Sequence, residues 1–201
     1  AVLIPNSVGP GELIERYGTD EQKWEYLDAL ARGDEMPAFA LTEPGAGSDA
    51  ASIVSRGRVF RDEDGELKIE LNWRKRYITL APIATILGLA VVLEDPQDLL
   101  GEGPNPGITC VLVKTSLPGA MVGRRHDAMG IAFPNGPTEG DNVIVPSSAI
   151  IGGPSGAGRG WSMLMEALSA GRGLSLPAQS AGGIKRMARV VTAYAVVRRQ
   201  F

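Results

Sequence analysis

The stretch from residue 40 to 50, which reads ALTEPGAGSDA, is the part of this 201-residue sequence best suited to chemistry. Gly45, Gly47 and Ala50 have the G-x-G-x-x-G/A spacing of a dinucleotide-binding fingerprint. That fingerprint needs a helix that opens directly from the glycines. The segment SDAASIVSRGRVF that follows is a poor helix former, and Pro44 directly precedes the glycines. The context therefore argues against a Rossmann turn.

The same stretch can instead form a tight loop that binds a phosphate. Gly45 and Gly47 allow the backbone N–H groups to approach a ligand closely, and Ser48 adds a hydroxyl donor. Thr42, just before the loop, can hydrogen-bond a planar heteroaromatic ring. A purely structural turn, with Ser48 and Asp49 as local caps, is the alternative interpretation.

A second glycine-rich segment, GPSGAGRG at 153–160, has P-loop spacing but lacks the P-loop residues. Arg159 stands where the motif has Lys, and Gly160 stands where it has the Ser or Thr that holds magnesium. We therefore interpret the segment as a flexible hinge that leads into the next helix.

Composition excludes several classes of function. The net charge is −3 and 44% of residues are hydrophobic, so a packed core is expected and nucleic acid is not an expected partner. A single cysteine, Cys110, forms no intrachain disulfide and favours a reducing compartment. Its apolar neighbours predict a buried thiol. With His126 as the one histidine, zinc clusters and His-based triads lack the necessary residues.

Hydrophobic periodicity predicts an α+β fold with a central all-β domain, sandwich or barrel-like, flanked by helical segments. Two short helices are predicted over 11–33, with Thr19 and Gln22 at capping-box spacing, Trp24 as a core anchor and Gly33 as the stop. Residues 38–150 carry strand patterns only, including a hairpin that turns at Asp64-Gly65. The helical period returns at Trp161, a second core anchor, and Pro177 should bend or break that helix.

These patterns divide the chain into 1–36, the end of a helical domain; 37–152, the β-domain; and 153–201, the start of a helical bundle. The last segment has an apolar stripe that nothing else in the chain is long enough to cover. The absence of an initiator Met and the uncapped final helix, YAVVRRQF, further indicate a piece of a longer protein.

Four blocks of the sequence resemble the acyl-CoA dehydrogenase family. ALTEPGAGSDA is similar to the family signature, KRYITLA at 75–81 to its aromatic-Ile-Thr strand, and residues 129–161 to the stretch that enters the C-terminal helices. YAVVRRQF is similar to the Arg-x-x-Phe that ends the next helix. The sequence is most similar to the enlarged bacterial branch that starts fatty-acid β-oxidation.

This resemblance implies a flavoenzyme that converts a saturated fatty acyl-CoA to the trans-2-enoyl-CoA and passes electrons to an electron-transfer flavoprotein. It also implies a cytoplasmic homo-oligomer, with membrane association of the full-length protein left open. Two alternatives remain: an acyl-CoA oxidase-like flavoenzyme, and a catalytically silent interaction module with the same fold.

The resemblance also assigns residues to FAD. Thr42 would bond the polar edge of the flavin, Thr79 would bond near N5, and Tyr77 stands where the family usually has Trp. The residues implied to contact FAD, the last three of them on a neighbouring subunit, are Phe39, Leu41, Thr42, Gly47, Ser48, Tyr77, Thr79, Arg198, Gln200 and Phe201. Ser48 and Arg172 are implied to contact the acyl-CoA.

The resemblance places the catalytic Glu in the C-terminal bundle, beyond Phe201. A minority of relatives carry it just before an Arg on the first C-terminal helix, but Gly171 precedes Arg172 here. We expect Glu166 to be structural or solvated and Glu43 to position the glycine loop. The 201 residues alone are therefore expected to have no catalytic base and no turnover.

Overall fold

The computed structural model describes residues 9–200, except for the side chains at 168 and 170–172. In these residues, seven strands lie between two N-terminal helices and one long C-terminal helix, in the predicted order of helices, strands and helix. The elements are α1 (Gly9–Tyr17), α2 (Asp20–Arg32), β1 (Pro37–Ala40), β2 (Arg56–Arg61), β3 (Leu67–Thr79), β4 (Ile86–Glu94), β5 (Gly107–Lys114), β6 (Ala120–Val122), β7 (Asn135–Pro146) and α3 (Gly160–Val197).

The strands form one mixed sheet in the order β1-β4-β2-β3-β7-β6, with β5 on the other edge of β4. β4 runs parallel to β1 and β2, and the remaining pairs are antiparallel. The predicted hairpin joins β2 to β3, and Gly65 adopts a φ of +86° in its turn. Ile69 and Leu71 are buried while their neighbours are more exposed, which is the burial expected from the alternation of apolar and polar residues in this strand.

Helices cover one face of the sheet. Leu13 and Ile14 of α1, together with Met163 and Leu164 of α3, pack on the face that carries Phe39. A second apolar cluster, centred on Trp73 and the strand residues around it, lies on the other side. The N-terminal helices and the first turns of α3 therefore fix the position of β1, the strand that leads into the glycine loop.

Helix α2 begins and ends where the sequence predicts, but one of its side chains is exposed where the sequence predicts burial. Thr19 and Gln22 form the capping box, and Gly33 ends the helix with a φ of +80°. Trp24, predicted to be a core anchor, is 87% exposed. At about 100° per residue, Trp24 lies roughly opposite the buried Gln22 on the helix. Because Gln22 occupies the packed face, the prediction for Trp24 was wrong.

The buried Gln22 joins α2 to the turn after β7. Its Nε2 donates to the carbonyl oxygens of Ser148 at 2.8 Å and Ile150 at 2.7 Å, and its Oε1 accepts from the Gly152 N–H at 3.1 Å. One side chain therefore satisfies three backbone groups of a distant segment.

We predict that Gln22→Ala lowers the free energy of unfolding by about 2 kcal/mol, because it leaves buried backbone groups without partners. Chemical denaturation measures the change. Trp24→Ala is the matched control on the same helix and should change stability by less, although it removes a larger side chain. Equal losses for the two variants would contradict the joining role of Gln22.

Helix α3 differs from the sequence prediction at Pro177. We expected a bend or break there, but the helix is continuous from Gly160 to Val197. Proline removes one N–H, the donor to the carbonyl four residues earlier, and the bonds of the flanking turns remain. Trp161 is half-buried, so it is only partly the core anchor that we predicted.

The second half of α3 presents the predicted uncovered apolar stripe. From Leu174 to the end of this helix, the following large apolar side chains are exposed: Leu174, Leu176, Ile184, Met187, Val190, Val191, Tyr194, Val196 and Val197. None of the helices in residues 9–200 combines the length and the hydrophobicity that crossing a bilayer requires.

Candidate functional site

The glycine loop begins where β1 ends and turns sharply. Glu43 and Ala46 exchange two backbone hydrogen bonds of 3.2 Å, so Pro44 and Gly45 form the tip. Gly45 and Gly47 are exposed, and a Cβ added to either would meet nothing within 4 Å. No helix opens from the glycines, because the next regular element is β2. The Rossmann interpretation is thereby excluded.

The loop also offers free hydrogen-bond donors. Among the described residues, the backbone N–H groups of Gly47 and Ser48 meet no acceptor. Both residues are exposed, and no side chain stands in front of Gly47. Successive exposed N–H groups that no protein acceptor occupies are suited to bind an anion.

A buried ion pair holds the base of this loop. Lys75 Nζ lies 2.7 Å from Glu43 Oε1 and also donates to the Leu41 carbonyl at 3.0 Å. The Lys75 and Glu43 side chains are only 0% and 3% exposed. The Glu43 carboxylate further accepts from the N–H groups of Val54 at 2.7 Å and Ser55 at 3.1 Å. The pair therefore ties both ends of the loop to β3.

Burial and pairing act in opposite directions on this ion pair. Burial lowers the pKa of Lys75 to about 8, although the Glu43 carboxylate beside it favours the protonated ammonium. Burial by itself would raise the pKa of Glu43, but the hydrogen bonds from Lys75, Ser55 and Val54 outweigh it and lower that pKa. Glu43 is thus held as a carboxylate.

Sequence reasoning gave Glu43 a positioning role but missed its partner. Lys75 follows Leu71 and Trp73 at a spacing of two residues, on the buried face of β3. A lysine on the buried face of a strand requires a partner, so the alternation itself carried the signal.

The end of β3 lies beside the loop. The Arg76 N–H donates to the Thr42 carbonyl at 2.9 Å, which places Thr42 next to the segment with Tyr77. The pairing of β3 with β7 is irregular between Lys75 and Ile78, and Tyr77 has a φ of +60° there. The Tyr77 ring is 56% exposed, whereas Thr79 is buried. The structure thus brings Thr42 and Tyr77 to one edge of the sheet.

Two buried apolar residues, one in β1 and one directly after it, lead into the glycine loop. Phe39 and Leu41 are each 7% exposed and belong to the cluster between the sheet and the helices. The Phe39 ring packs directly over Gly88 of β4, where an added Cβ would lie 2.9 Å from the ring. Gly88 therefore makes room for Phe39 below the candidate site.

Comparison with known proteins identifies the family. A family model described as the acyl-CoA dehydrogenase middle domain matches residues 38–143, more than half of the chain. The chain belongs to the acyl-CoA dehydrogenase family. The resemblance seen in the signature and in the strand with Tyr77 and Thr79 is thereby confirmed.

Two curated proteins are similar to this chain in sequence. Protein HemX of Proteus mirabilis is 52% identical over 99 residues, which are 49% of this chain and 58% of that protein. The 3-(aryl)acrylate reductase of Clostridium sporogenes is 37% identical over 185 residues, 92% of this chain and 45% of that protein. The chain thus spans about half the length of these relatives.

Solved acyl-CoA dehydrogenases share the fold. Butyryl-CoA dehydrogenase from Megasphaera elsdenii superposes with a TM-score of 0.81 at 28% identity, over 100% of this chain and 49% of that one. Acyl-CoA dehydrogenase from Bacillus anthracis, solved in complex with FAD, gives a TM-score of 0.81 at 27% identity, over 100% of this chain and 32% of that one. FAD is the cofactor of this family.

The remaining predicted site residues of this family member lie elsewhere. Arg198 and Gln200 follow the end of α3, are exposed and contact each other at 3.4 Å. Within the described part of the chain, neither contacts the glycine loop. Phe201 and the side chain of Arg172 lie outside the described residues. Glu166, expected to be structural or solvated, accepts a hydrogen bond from the Tyr17 hydroxyl at 2.7 Å.

The second glycine-rich segment is closely packed. A Cβ at Gly156 would lie 2.1 Å from the Ile151 carbonyl oxygen, and one at Gly158 would lie 2.4 Å from that of Pro106. Close approach of backbone therefore explains these glycines better than the flexible hinge that we predicted. Among the described residues, no group of three or more His, Cys, Asp or Glu side chains could hold a metal ion.

Cys110 is buried beneath α3, as predicted, with its sulfur 3.9 Å from the Gly160 carbonyl oxygen. Burial raises the pKa of its thiol to about 12. We therefore predict that the folded protein does not react with iodoacetamide at pH 8, whereas the unfolded protein does. Mass spectrometry of alkylated protein with and without denaturant measures this. Rapid alkylation of the folded protein would contradict the burial.

Proposed function

We propose that this chain holds FAD against the β-domain of an acyl-CoA dehydrogenase that forms trans-2-enoyl-CoA from a saturated fatty acyl-CoA. The observation that carries the proposal is the glycine loop, whose N–H groups at Gly47 and Ser48 are free and whose base is fixed by Lys75 and Glu43. This loop has the donors and the open space that a pyrophosphate requires.

The neighbouring residues fit the rest of the cofactor. The Arg76 N–H holds Thr42 beside the end of β3, and we assign the hydroxyl groups of Thr42 and Thr79 and the ring of Tyr77 to a planar heterocycle. Phe39 and Leu41 form the apolar layer beneath them. When bound, FAD would supply the acceptor for the electrons and hydrogen removed from the substrate. The protein would hold FAD and the substrate in position and exclude water from the site.

The substrate class follows from the family, and its finer definition is part of the proposal. The names of the relatives include a butyryl-CoA dehydrogenase and a 3-(aryl)acrylate reductase. We assign a saturated fatty acyl-CoA here, on the similarity to the β-oxidation branch, with Ser48 and Arg172 as substrate contacts. The base that removes the α-proton is assigned to a Glu beyond Phe201, since Glu166 is bonded to Tyr17.

Partners are also part of the proposal. We assign a homo-oligomer in which Arg198, Gln200 and Phe201 contact the FAD of a neighbouring subunit, and an electron-transfer flavoprotein as the electron acceptor. The exposed position of Arg198 and Gln200, away from the glycine loop of their own chain, supports the first assignment. The domain division at residues 36 and 152 stays a prediction.

Anaerobic titration of the full-length protein with a long-chain acyl-CoA tests the reaction. Bleaching of the oxidised flavin band supports the dehydrogenation. Bleaching followed by rapid oxygen consumption in air would indicate the oxidase-like alternative instead. A colourless protein that cannot be reconstituted with FAD would leave the silent interaction module.

The loop assignment leads to a separate prediction for Gly47→Val. The side chain should weaken FAD binding at least about tenfold, because it occupies the space through which a phosphate would approach the N–H groups. Fluorescence titration of the apoprotein with FAD measures the dissociation constant. Thermal stability without FAD should change little, since an added Cβ meets nothing within 4 Å. Ala51→Val, at an exposed position of the same loop, is the control, and equal affinities would contradict the placement of the pyrophosphate.

A further inference from the structure

Asn135, the first residue of β7, lies at the centre of a small hydrogen-bond network beside the candidate site. It is only 6% exposed. Its Nδ2 donates to the Tyr77 carbonyl at 3.0 Å and contacts the Thr79 hydroxyl oxygen at 3.3 Å. Its Oδ1 lies 2.9 Å from His126 Nδ1. Neither the sequence patterns nor the family resemblance drew attention to this residue.

The chemistry of the amide fixes the direction of each bond. Nδ2 can only donate and Oδ1 can only accept. A flipped amide would place Oδ1 against the Tyr77 carbonyl, which is also an acceptor, so the orientation is determined. The Thr79 oxygen therefore accepts from Asn135, and His126 Nδ1 carries the proton that it donates to Oδ1.

This direction has a consequence for Thr79. Because its oxygen already accepts a bond, its own hydroxyl proton is available for donation to another group. Among the described residues, the Thr79 hydroxyl donates to none. Asn135 also binds the carbonyl of Tyr77, whose φ of +60° is uncommon for a residue with a side chain. One amide thus contacts both Tyr77 and Thr79, the two residues of this strand that we assign to the flavin.

His126 fixes the amide from the other side. Its backbone N–H donates to the Asn135 carbonyl at 2.8 Å, and its ring lies 4.8 Å from the Tyr77 ring, centroid to centroid. Arg76 lies over the same Tyr77 ring at 4.7 Å. His126 therefore anchors the network.

We propose that Asn135 is a positioning residue for FAD, which orients the Thr79 hydroxyl as a hydrogen-bond donor toward the flavin and holds the backbone of Tyr77. This inference rests on the proposed function, because it needs FAD at the edge formed by Thr42, Tyr77 and Thr79. It makes Asn135 an indirect determinant of how easily the bound flavin is reduced.

The test uses the FAD-loaded full-length protein and three variants. Asn135→Leu has nearly the same shape but donates no hydrogen bond, Thr79→Val removes the hydroxyl, and the third variant combines both. Midpoint potential and visible absorption spectrum of the bound flavin are measured, together with the thermal stability of each apoprotein. We expect Asn135→Leu to shift potential and spectrum in the same direction as Thr79→Val. The double variant should shift by clearly less than the sum of the two single variants, because Asn135 acts in part through that hydroxyl.

Two results would overturn the inference. The first is an Asn135→Leu variant that binds FAD and keeps the wild-type flavin potential and spectrum. The second is a double variant whose shift equals the sum of the shifts of Asn135→Leu and Thr79→Val. A merely structural role of Asn135 would lower thermal stability and leave the potential and the spectrum of the bound flavin unchanged. These two measurements therefore distinguish a structural role from a positioning role. A wild-type protein that binds no FAD overturns the proposed function itself, which is seen before any variant is compared.

If Asn135→Leu does not fold, Asn135→Asp replaces it. The ionised carboxylate keeps the acceptor for His126 and loses both donor contacts. Asn142→Asp adds the same charge at an exposed position of the same strand and serves as the control. A flavin potential that shifts equally in both Asp variants would overturn the inference, and a larger shift in Asn135→Asp supports it.

Discussion

Replacing Lys75 with Met lowers the free energy of unfolding by about 3–5 kcal/mol, the usual cost of breaking a buried ion pair from one side. The ammonium that faces Glu43 at 2.7 Å is removed, and the carboxylate remains in a site where its side chain is 3% exposed. The Leu41 carbonyl loses its donor as well. Urea denaturation, followed by two independent spectroscopic probes, measures the change.

Lys68→Met is the matched control for this experiment. Lys68 lies on the same strand, but its side chain is 30% exposed and its nearest carboxylate, on Asp62, is 3.6 Å away. We expect a loss of about 0–1 kcal/mol for that variant. The combined variant Glu43→Gln/Lys75→Met should recover part of the stability, since no unpaired charge remains buried. A loss at Lys75 no larger than at Lys68 would refute the importance of the pair.

Replacing Gly140 with Ala is expected to cost about 3 kcal/mol through overpacking. A Cβ at this position would lie 2.0–2.3 Å from three atoms of the Trp73 ring, which is 2% exposed. The ring cannot simply rotate away, because its Nε1 donates to the Thr138 hydroxyl at 3.3 Å. Trp73 or β7 must therefore shift. Thermal and urea unfolding measure the effect.

Two further variants separate this clash from a general cost of losing glycine. Gly45→Ala adds the same methyl where nothing lies within 4 Å, so its stability should match the wild type. Trp73→Leu destabilises by itself, but Gly140→Ala should then add little, because the large ring is gone. Fully additive losses in the double variant would show that the two residues do not compete for space.

Local signals in the sequence predicted the regular elements well. The capping box at Thr19 and Gln22 and the turn at Asp64-Gly65 are short-range features, in which a few side chains decide the backbone conformation. The alternation in β3 predicted one buried face, and the structure confirms it. The exposed stripe of α3 could be predicted in the same way, because its apolar residues recur at helical spacing and no other segment of the chain is long enough to cover them.

Features that depend on distant packing could not be predicted in this way. Trp24 follows the helical period but lies on the face opposite Gln22, and only the position of the turn after β7 decides which face is covered. Pro177 carries a strong local signal against a helix, yet the intact turns on both sides continue through it. Local propensity is a weak guide where such longer-range interactions compete.

In the candidate site, too, the residues in contiguous motifs could be predicted and those that depend on distant partners could not. The glycine loop was recognisable because its residue types are contiguous, and Tyr77 and Thr79 followed from a second contiguous block. Lys75 and Asn135 were missed because their roles depend on partners 32 and 56 residues away. A buried lysine in an alternating strand was the one available sign. For Asn135 the sequence offered none.

The bonds of Gln22 also constrain the order in which the chain folds. Its acceptors Ser148 and Ile150 lie 126 and 128 residues further along the chain. At synthesis rates of about 5–20 residues per second, these acceptors leave the ribosome roughly 6–25 s after Gln22 does. During that interval the Gln22 side chain has no partner in the turn after β7 and forms hydrogen bonds to water instead. Helix α2 is therefore synthesised well before the segment that receives its buried side chain, and this junction can form only after β7 has been made.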